Sequence, residues 1–268
     1  ARKSYPRASP NAQFTPWDFD DVIAHLPDDC SLVGGQAVAW WANHYGIKVR
    51  VGDRESNVTS NDIDFWGERS DLVELAKQLR HRPIFPHEYE MTVWVGAFQI
   101  TIRDQQSVVE FLHTVPGLDT NNPDDACVEQ IYLGKSVKKN ILVLSPVSLV
   151  LAKLHALRHF DQKTRHDEQH LKVSIETSKR FIIESLESRH AKEVLWNCQR
   201  LINCHQLKST RRLEAQHQFN ILDAIPIGEI QRESKNPWAT RRRSRKTHKV
   251  LDRPMASGVR RQPRPGRC

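Results

Sequence analysis

The sequence predicts a mixed α/β first half followed by a helical second half. In the first half, short apolar or alternating runs (SLVG, DIDFW, the Val/Ile/Thr-rich stretches after Met91) interleave with helical segments. From Ser145-Pro146 to about Ile225 the apolar spacing is helical throughout. The chain of 268 residues with 38% hydrophobic residues is long enough to bury a core.

Thr15-Pro16 opens a helix, with Thr15 as N-cap and Pro16 in the first turn, and the helix runs through FDDVIAHL to Pro27. Ser31–Gly34 reads as a short buried strand, Gly35 as a turn, and Gln36–Tyr45 as a helix stopped by Gly46. After a polar stretch over Val51–Asn61, Asp62–Trp66 alternates as a half-buried strand. Ser70 caps a helix over Asp71–His81, and Met91–Ile102, Val108–Val115 and Ile141–Leu144 read as strands. Ser145-Pro146 starts the helical half, whose segments are VSLVLAKLHALRHF, HLKVSIETSKRFIIESL, HAKEVLWNCQRLINCH and RRLEAQHQFNILDAI. The expected organisation is 1–145 as an α/β core, 146–230 as a helical domain and 231–268 as a loose basic tail.

The formal charge of +8 is unevenly placed. Residues 231–268 hold 13 Lys and Arg against 2 Asp and Glu, a net +11, so the body carries −3. A tail of that composition cannot bury enough surface to offset its ordering entropy. It reads as a solvated arm, or as one that touches RNA. The five cysteines are scattered, with neither a disulfide framework nor a CxxC zinc pattern, which sets a reducing, cytoplasmic location as the expectation. No apolar run approaches the ~20 residues of a membrane span, and ARKSYPRASPNAQF lacks the apolar stretch of a secretory signal. No membrane partner is expected.

The sharpest chemical feature is Asp62-Ile63-Asp64. On a strand both carboxylates face one way while Ile63 and Phe65 face the core. Two neighbouring carboxylates repel unless a cation sits between them, and a hard divalent ion suits oxygen donors. Alternatively they are two acids on a solvent-facing strand. Gly34-Gly35 joins an apolar strand to a helix N-terminus, where free N–H groups can hold a phosphate; it can equally be an ordinary tight turn. Glu110, inside VVEFL, either completes a metal site or faces water. His166 and His170 stand at i, i+4 as in a zinc H-E-x-x-H motif, but Asp167 replaces its glutamate and no third ligand stands out.

In the order LVGGQAVAWW, NDIDFWG, VVEFL, the sequence resembles the nucleotidyltransferase superfamily. With PVSLVLAKLHALR and then RHDEQHL it resembles more particularly the abortive-infection type, including type IV toxin–antitoxin toxins. Over roughly residues 28–185, the resemblance implies a nucleotidyltransferase-like mixed sheet with flanking helices and a helical half on the substrate side. It implies a transferase that moves a nucleoside monophosphate from an NTP to a hydroxyl of RNA (a tRNA end in some relatives), a protein or a small molecule, with toxin activity and an antitoxin partner by analogy. Asp62, Asp64 and Glu110 would hold Mg²⁺ or Mn²⁺, and all three would be catalytic. Gly34, Gly35 and Gln36 would bind nucleotide, Lys153 would pair with phosphate, Arg158 would clamp substrate, and Asp167 would orient the acceptor or a basic partner. Lys153 and Arg158 lie about 140° apart around a helix, so they do not share one narrow face. Gln36 stands where many members carry a small hydroxyl residue, His170 where they carry an acid, and the spacing from Gly35 to Asp62 is longer than in compact members. Two rivals stand beside the enzyme: a catalytically silent domain that binds nucleotide or a partner, and an RNA-binding protein acting through its tail.

Overall fold

The computed structural model describes residues 6–9, 12–51, 53–87, 89–90, 92–119, 126–135, 137–160 and 166–235. The Arg241–Lys249 part of the basic tail lies outside them. One compact unit extends through Pro226, and a second begins at Ile227. The first contains a short 3-10 turn, Pro16–Phe19, that leads into α1 (Asp20–His25). There follow β1 (Ser31–Val33), α2 (Gly34–His44), β2 (Val49–Val51), β3 (Arg54–Ser56), β4 (Ile63–Trp66) and α3 (Arg69–Gln78). The strands β5 (Trp94–Ile102), β6 (Gln105–Leu112), β7 (Cys127–Leu133) and β8 (Lys138–Leu144) complete the first half. The helical half holds α4 (Pro146–His159), α5 (Asp167–Glu187), α6 (Ala191–Gln206) and α7 (Lys208–His217). In the second unit, α8 (Ile227–Lys235) forms a regular helix, so the helix continues through Gln231–Lys235, which composition had placed in the tail.

Six strands form one mixed sheet in the order β5-β6-β4-β1-β8-β7, and β2-β3 make a separate hairpin. β4 runs parallel to β6 and antiparallel to β1, and β1 runs parallel to β8. The mixed α/β class with flanking helices and a helical second half is the class the sequence predicted. The polar stretch after Val51 in part forms the β2-β3 hairpin, which the sequence reading had left without structure.

One face of the sheet centre is wholly apolar. Leu32, Ile63, Phe65, Val109, Phe111 and Val143 are fully buried. α2 is buried along most of its length because its small and aromatic residues (Ala37, Ala39, Ala42, Trp40, Trp41) meet protein on nearly every side. Trp41 donates its indole N–H to the Leu144 carbonyl at 2.9 Å and packs edge-on against Phe181 of α5. Trp40 stacks between Trp17 and Tyr132, so the same helix grips β7 at the far edge of the sheet. At the start of the helical half, Ser145 caps α4 by accepting from the Ser148 N–H, with Pro146 in the first turn. α4 and α5 pack against each other, and α5 also packs on α2, which brings the N-terminal turn of α5 to the strand-to-helix turn at Gly34-Gly35.

Candidate functional site

The strand register builds one polar row across the sheet. Val33 on β1 pairs with Asp64 on β4, and Asp64 pairs with Glu110 on β6. Register partners on neighbouring strands project from the same face about 4.8 Å apart. Asp64 and Glu110 are therefore side by side and half-buried, while their neighbours Ile63, Phe65, Val109 and Phe111 fill the opposite, apolar face.

Gly34 makes this row possible. Its φ is +65°, a left-handed conformation that turns β1 into α2. A Cβ on Gly34 would lie 1.8 Å from Asp64 Oδ2, so the carboxylate sits directly on the glycine. Gly35 is equally constrained. A Cβ there would lie 2.4 Å from Ser60 Oγ and 3.1 Å from His170 Cε1.

Asp62 precedes β4 rather than lying in it, because the strand begins at Ile63. Its orientation comes from Ser60, whose hydroxyl donates to Asp62 Oδ1 at 2.7 Å. The Asp62–Asp64 pair is thus not a simple same-face pair on one strand, as the alternation predicts. The second acid is set by the sheet, and the first by the loop before it.

Lys153 and Asp167 meet as an ion pair, with Nζ to Oδ1 at 2.9 Å. Lys153 is 8% exposed and Asp167 2%, so this pair is buried between α4 and α5. His170, one turn on from Asp167, is also buried and donates from Nε2 to the Thr59 carbonyl at 3.1 Å. Burial, reinforced by the charge on Lys153, pushes its pKa down to about 3. The ring is therefore neutral, with its proton on Nε2, where the carbonyl requires a donor.

Two sequence-predicted nucleotide ligands have hydrogen-bond partners within the protein. Gln36 is fully buried, and its amide donates to the Phe14 and Ser60 carbonyls at 3.1 and 3.3 Å. Its side chain faces the protein interior rather than a nucleotide. Arg158 is exposed and donates to Ser209 Oγ at 3.2 Å, on α7. The structure thus gathers Gly34, Gly35, Asp62, Asp64 and Glu110 around the β1–α2 turn and the adjoining strands, with Lys153 and Asp167 behind His170.

Some neighbours of the site were not foreseen from sequence. Ser60 orients Asp62, and Glu110 lines a shallow cleft of about 320 Å³ together with Pro6, Glu90, Thr92 and Trp94. The antiparallel pairing of β5 with β6, with Trp94 opposite Leu112, is the signal that brings the start of β5 there.

The carboxylate oxygens of Asp62, Asp64 and Glu110 are hard donors of the kind Mg²⁺ takes. In donor chemistry and in register, the Asp64–Glu110 pair fits such an ion, which takes one or two carboxylates together with water and substrate phosphate. Among the described residues, no group of three or more His, Cys, Asp or Glu side chains is gathered as a ready metal cage.

No family model matches the chain, and no curated protein matches it. Among solved structures, it is similar to an antigenic nucleotidyltransferase-like protein from Paracoccidioides brasiliensis, at 14% identity and a TM-score of 0.35. The match covers 61% of this chain and 78% of that one. A likeness of that size bears on neither activity nor substrate.

Two outcomes follow from the buried charges. Removing one partner of a buried ion pair strands the other, so Lys153→Met should lower stability by about 3–5 kcal/mol. The double variant Lys153→Met/Asp167→Leu should regain much of that loss in urea denaturation; a double variant no more stable than the single one would contradict it. For His170 the folded pKa lies below the unfolded value of about 6.5, so the unfolded chain binds the extra proton. Its contribution is present in full above about pH 6.5 and is lost on acidification towards pH 3, with a slope of at most ~1.4 kcal/mol per pH unit. His170→Gln keeps a donor and removes the titration. Denaturation between pH 4 and 7 should show a shallower acid slope for that variant, and an unchanged slope would contradict it.

Proposed function

We propose that this protein is a metal-dependent nucleotidyltransferase, using Mg²⁺ or Mn²⁺ to move a nucleoside monophosphate from an NTP to a hydroxyl acceptor. The observation that carries the reading is the seating of the Asp64 carboxylate on Gly34, in register with Glu110. That arrangement places two hard-donor side chains beside the N-terminus of an 11-residue helix, where backbone N–H groups and the helix dipole favour phosphate.

In the reaction, the acceptor oxygen forms a bond to the α-phosphorus, the bond to the bridging oxygen breaks and pyrophosphate leaves. Asp64 and Glu110, with Asp62 oriented by Ser60, would hold the cation. When bound, the cation would neutralise charge on the phosphates and lower the pKa of the acceptor hydroxyl. The backbone N–H groups at the α2 N-terminus would receive the terminal phosphates. Lys153 and Asp167 would fix the start of α5 and the electrostatics behind His170, rather than touch the nucleotide. Arg158 would act on α7. The acceptor class carried forward is an RNA, protein or small-molecule hydroxyl, and toxin activity with an antitoxin partner belongs to this reading by resemblance alone.

A second reading, a silent nucleotide-binding domain, draws on the internal engagement of Gln36 and His170 and on the lack of a ready three-ligand group among the described residues. The test incubates each labelled NTP with Mg²⁺ and total RNA or protein, using wild type and Asp64→Asn. The substitution keeps the shape over Gly34 and removes the charge. Wild type should transfer label, and Asp64→Asn should fall by about 10²–10³-fold with its circular dichroism unchanged. Equal transfer by both would overturn the mechanism. Nucleotide binding without transfer by wild type would establish the silent domain instead.

A further inference from the structure

Four elements far apart in sequence converge on the short segment before β4. Phe14 and Ser60 exchange both backbone hydrogen bonds, at 2.9 and 3.0 Å. Gln36 Nε2 adds a second donor to the Ser60 carbonyl and one to that of Phe14. His170 Nε2 takes the Thr59 carbonyl, and Ser107 Oγ donates to the Asn61 carbonyl at 2.9 Å. Three successive carbonyls, at 59, 60 and 61, are thus each held by a side chain from a different element: α5, α2 and β6. Ser60 is left with its hydroxyl on Asp62 Oδ1 and its side chain against Gly35.

The orphan atom in this arrangement is informative. Gln36 Oε1 is buried with no hydrogen-bond partner. Leaving such an atom unsatisfied costs about 1–3 kcal/mol. An apolar side chain of similar size would avoid that cost but would lose both donors. The amide therefore earns its place by holding the Phe14 and Ser60 carbonyls. His170 tells the same story: a buried imidazole kept neutral, with its one N–H aimed at a carbonyl.

We propose that Ser60 is a positioning residue for Asp62, and that Gln36, His170 and Ser107 form the frame that fixes Ser60. The inference rests on the metal-dependent reading above. It gives one shared role to Gln36 and His170, two of the residues at which the sequence departs from the nucleotidyltransferase pattern. Because Asp62 lies outside the regular strand, the sheet does not orient it, and a loop carboxylate held by a single hydroxyl depends on how firmly that hydroxyl is placed. Partners that orient a metal ligand from behind affect affinity without touching the ion.

The test titrates the full chain with Mn²⁺ alone and reads free Mn²⁺ by electron paramagnetic resonance, with thermal melting of each variant alongside. Ser60→Ala should weaken Mn²⁺ binding about tenfold while its melting temperature stays close to wild type. In an Asp62→Asn background, Ser60→Ala should have no further effect, because its action passes through that carboxylate. His170→Leu, which removes the donor at similar volume, should also weaken binding, and His170→Gln, which restores one, should recover most of it. A purely structural role would move the melting temperatures and leave Mn²⁺ affinity alone. Unchanged affinity in Ser60→Ala, or additive effects of Ser60→Ala and Asp62→Asn, would overturn the frame and leave the metal reading standing. A wild type that binds no Mn²⁺ would overturn both.

Discussion

The contact between Gly34 and Asp64 is the constraint around which the rest is arranged. Any side chain at 34 would collide with the carboxylate, and the +65° φ there bends the chain from β1 directly into α2. The close approach fixes the β1–β4 register, and that register puts Asp64 opposite Glu110 on β6. It also sets where α2 begins, and hence where Gln36 reaches Phe14 and Ser60 and where Trp41 reaches the Leu144 carbonyl. A single glycine thus links the acidic row, the start of α2 and the packing of the helix that spans the sheet.

Behind that turn the helical half supplies an interior of buried polar groups. Lys153 and Asp167 offset each other's desolvation, and His170 avoids the problem by remaining neutral. Such groups add little net stability compared with apolar residues of the same volume, but each makes its neighbours intolerant of rearrangement. Their location beside Gly35 and the Thr59–Asp62 segment concentrates that intolerance around the acids. The helical half therefore serves as the wall that holds the strand-to-helix turn and the loop before β4.

Much of this was legible in the sequence, for physical reasons. Paired glycines after an apolar run, acids in an alternating strand and a Ser-Pro helix start each leave a local signature, and Gly34, Asp64, Glu110 and Ser145 stand in the corresponding elements. β7 was missed because its inward positions include Gln130 and Tyr132, so the apolar alternation that announces a strand is masked by buried polar side chains. The β2-β3 hairpin is short and polar, and it carries no buried face to betray it. Asp62 was read as a strand residue since alternation cannot tell where a strand starts. The contact of Gln36 with the Phe14–Ser60 bridge was not legible because it is formed with residues 22 and 24 positions away. Lys153 and Asp167 stand out one by one in the sequence, but their pairing across a helix junction is a tertiary fact.

The most direct test of the central claim is diffraction from crystals soaked in Mn²⁺, collected to reveal anomalous scattering. The Gly34-anchored row predicts a peak within ligand distance of both Asp64 and Glu110, with Asp62 turned towards it. A peak elsewhere, or none at Mn²⁺ concentrations that saturate binding in solution, would contradict the assignment of these acids as the metal centre.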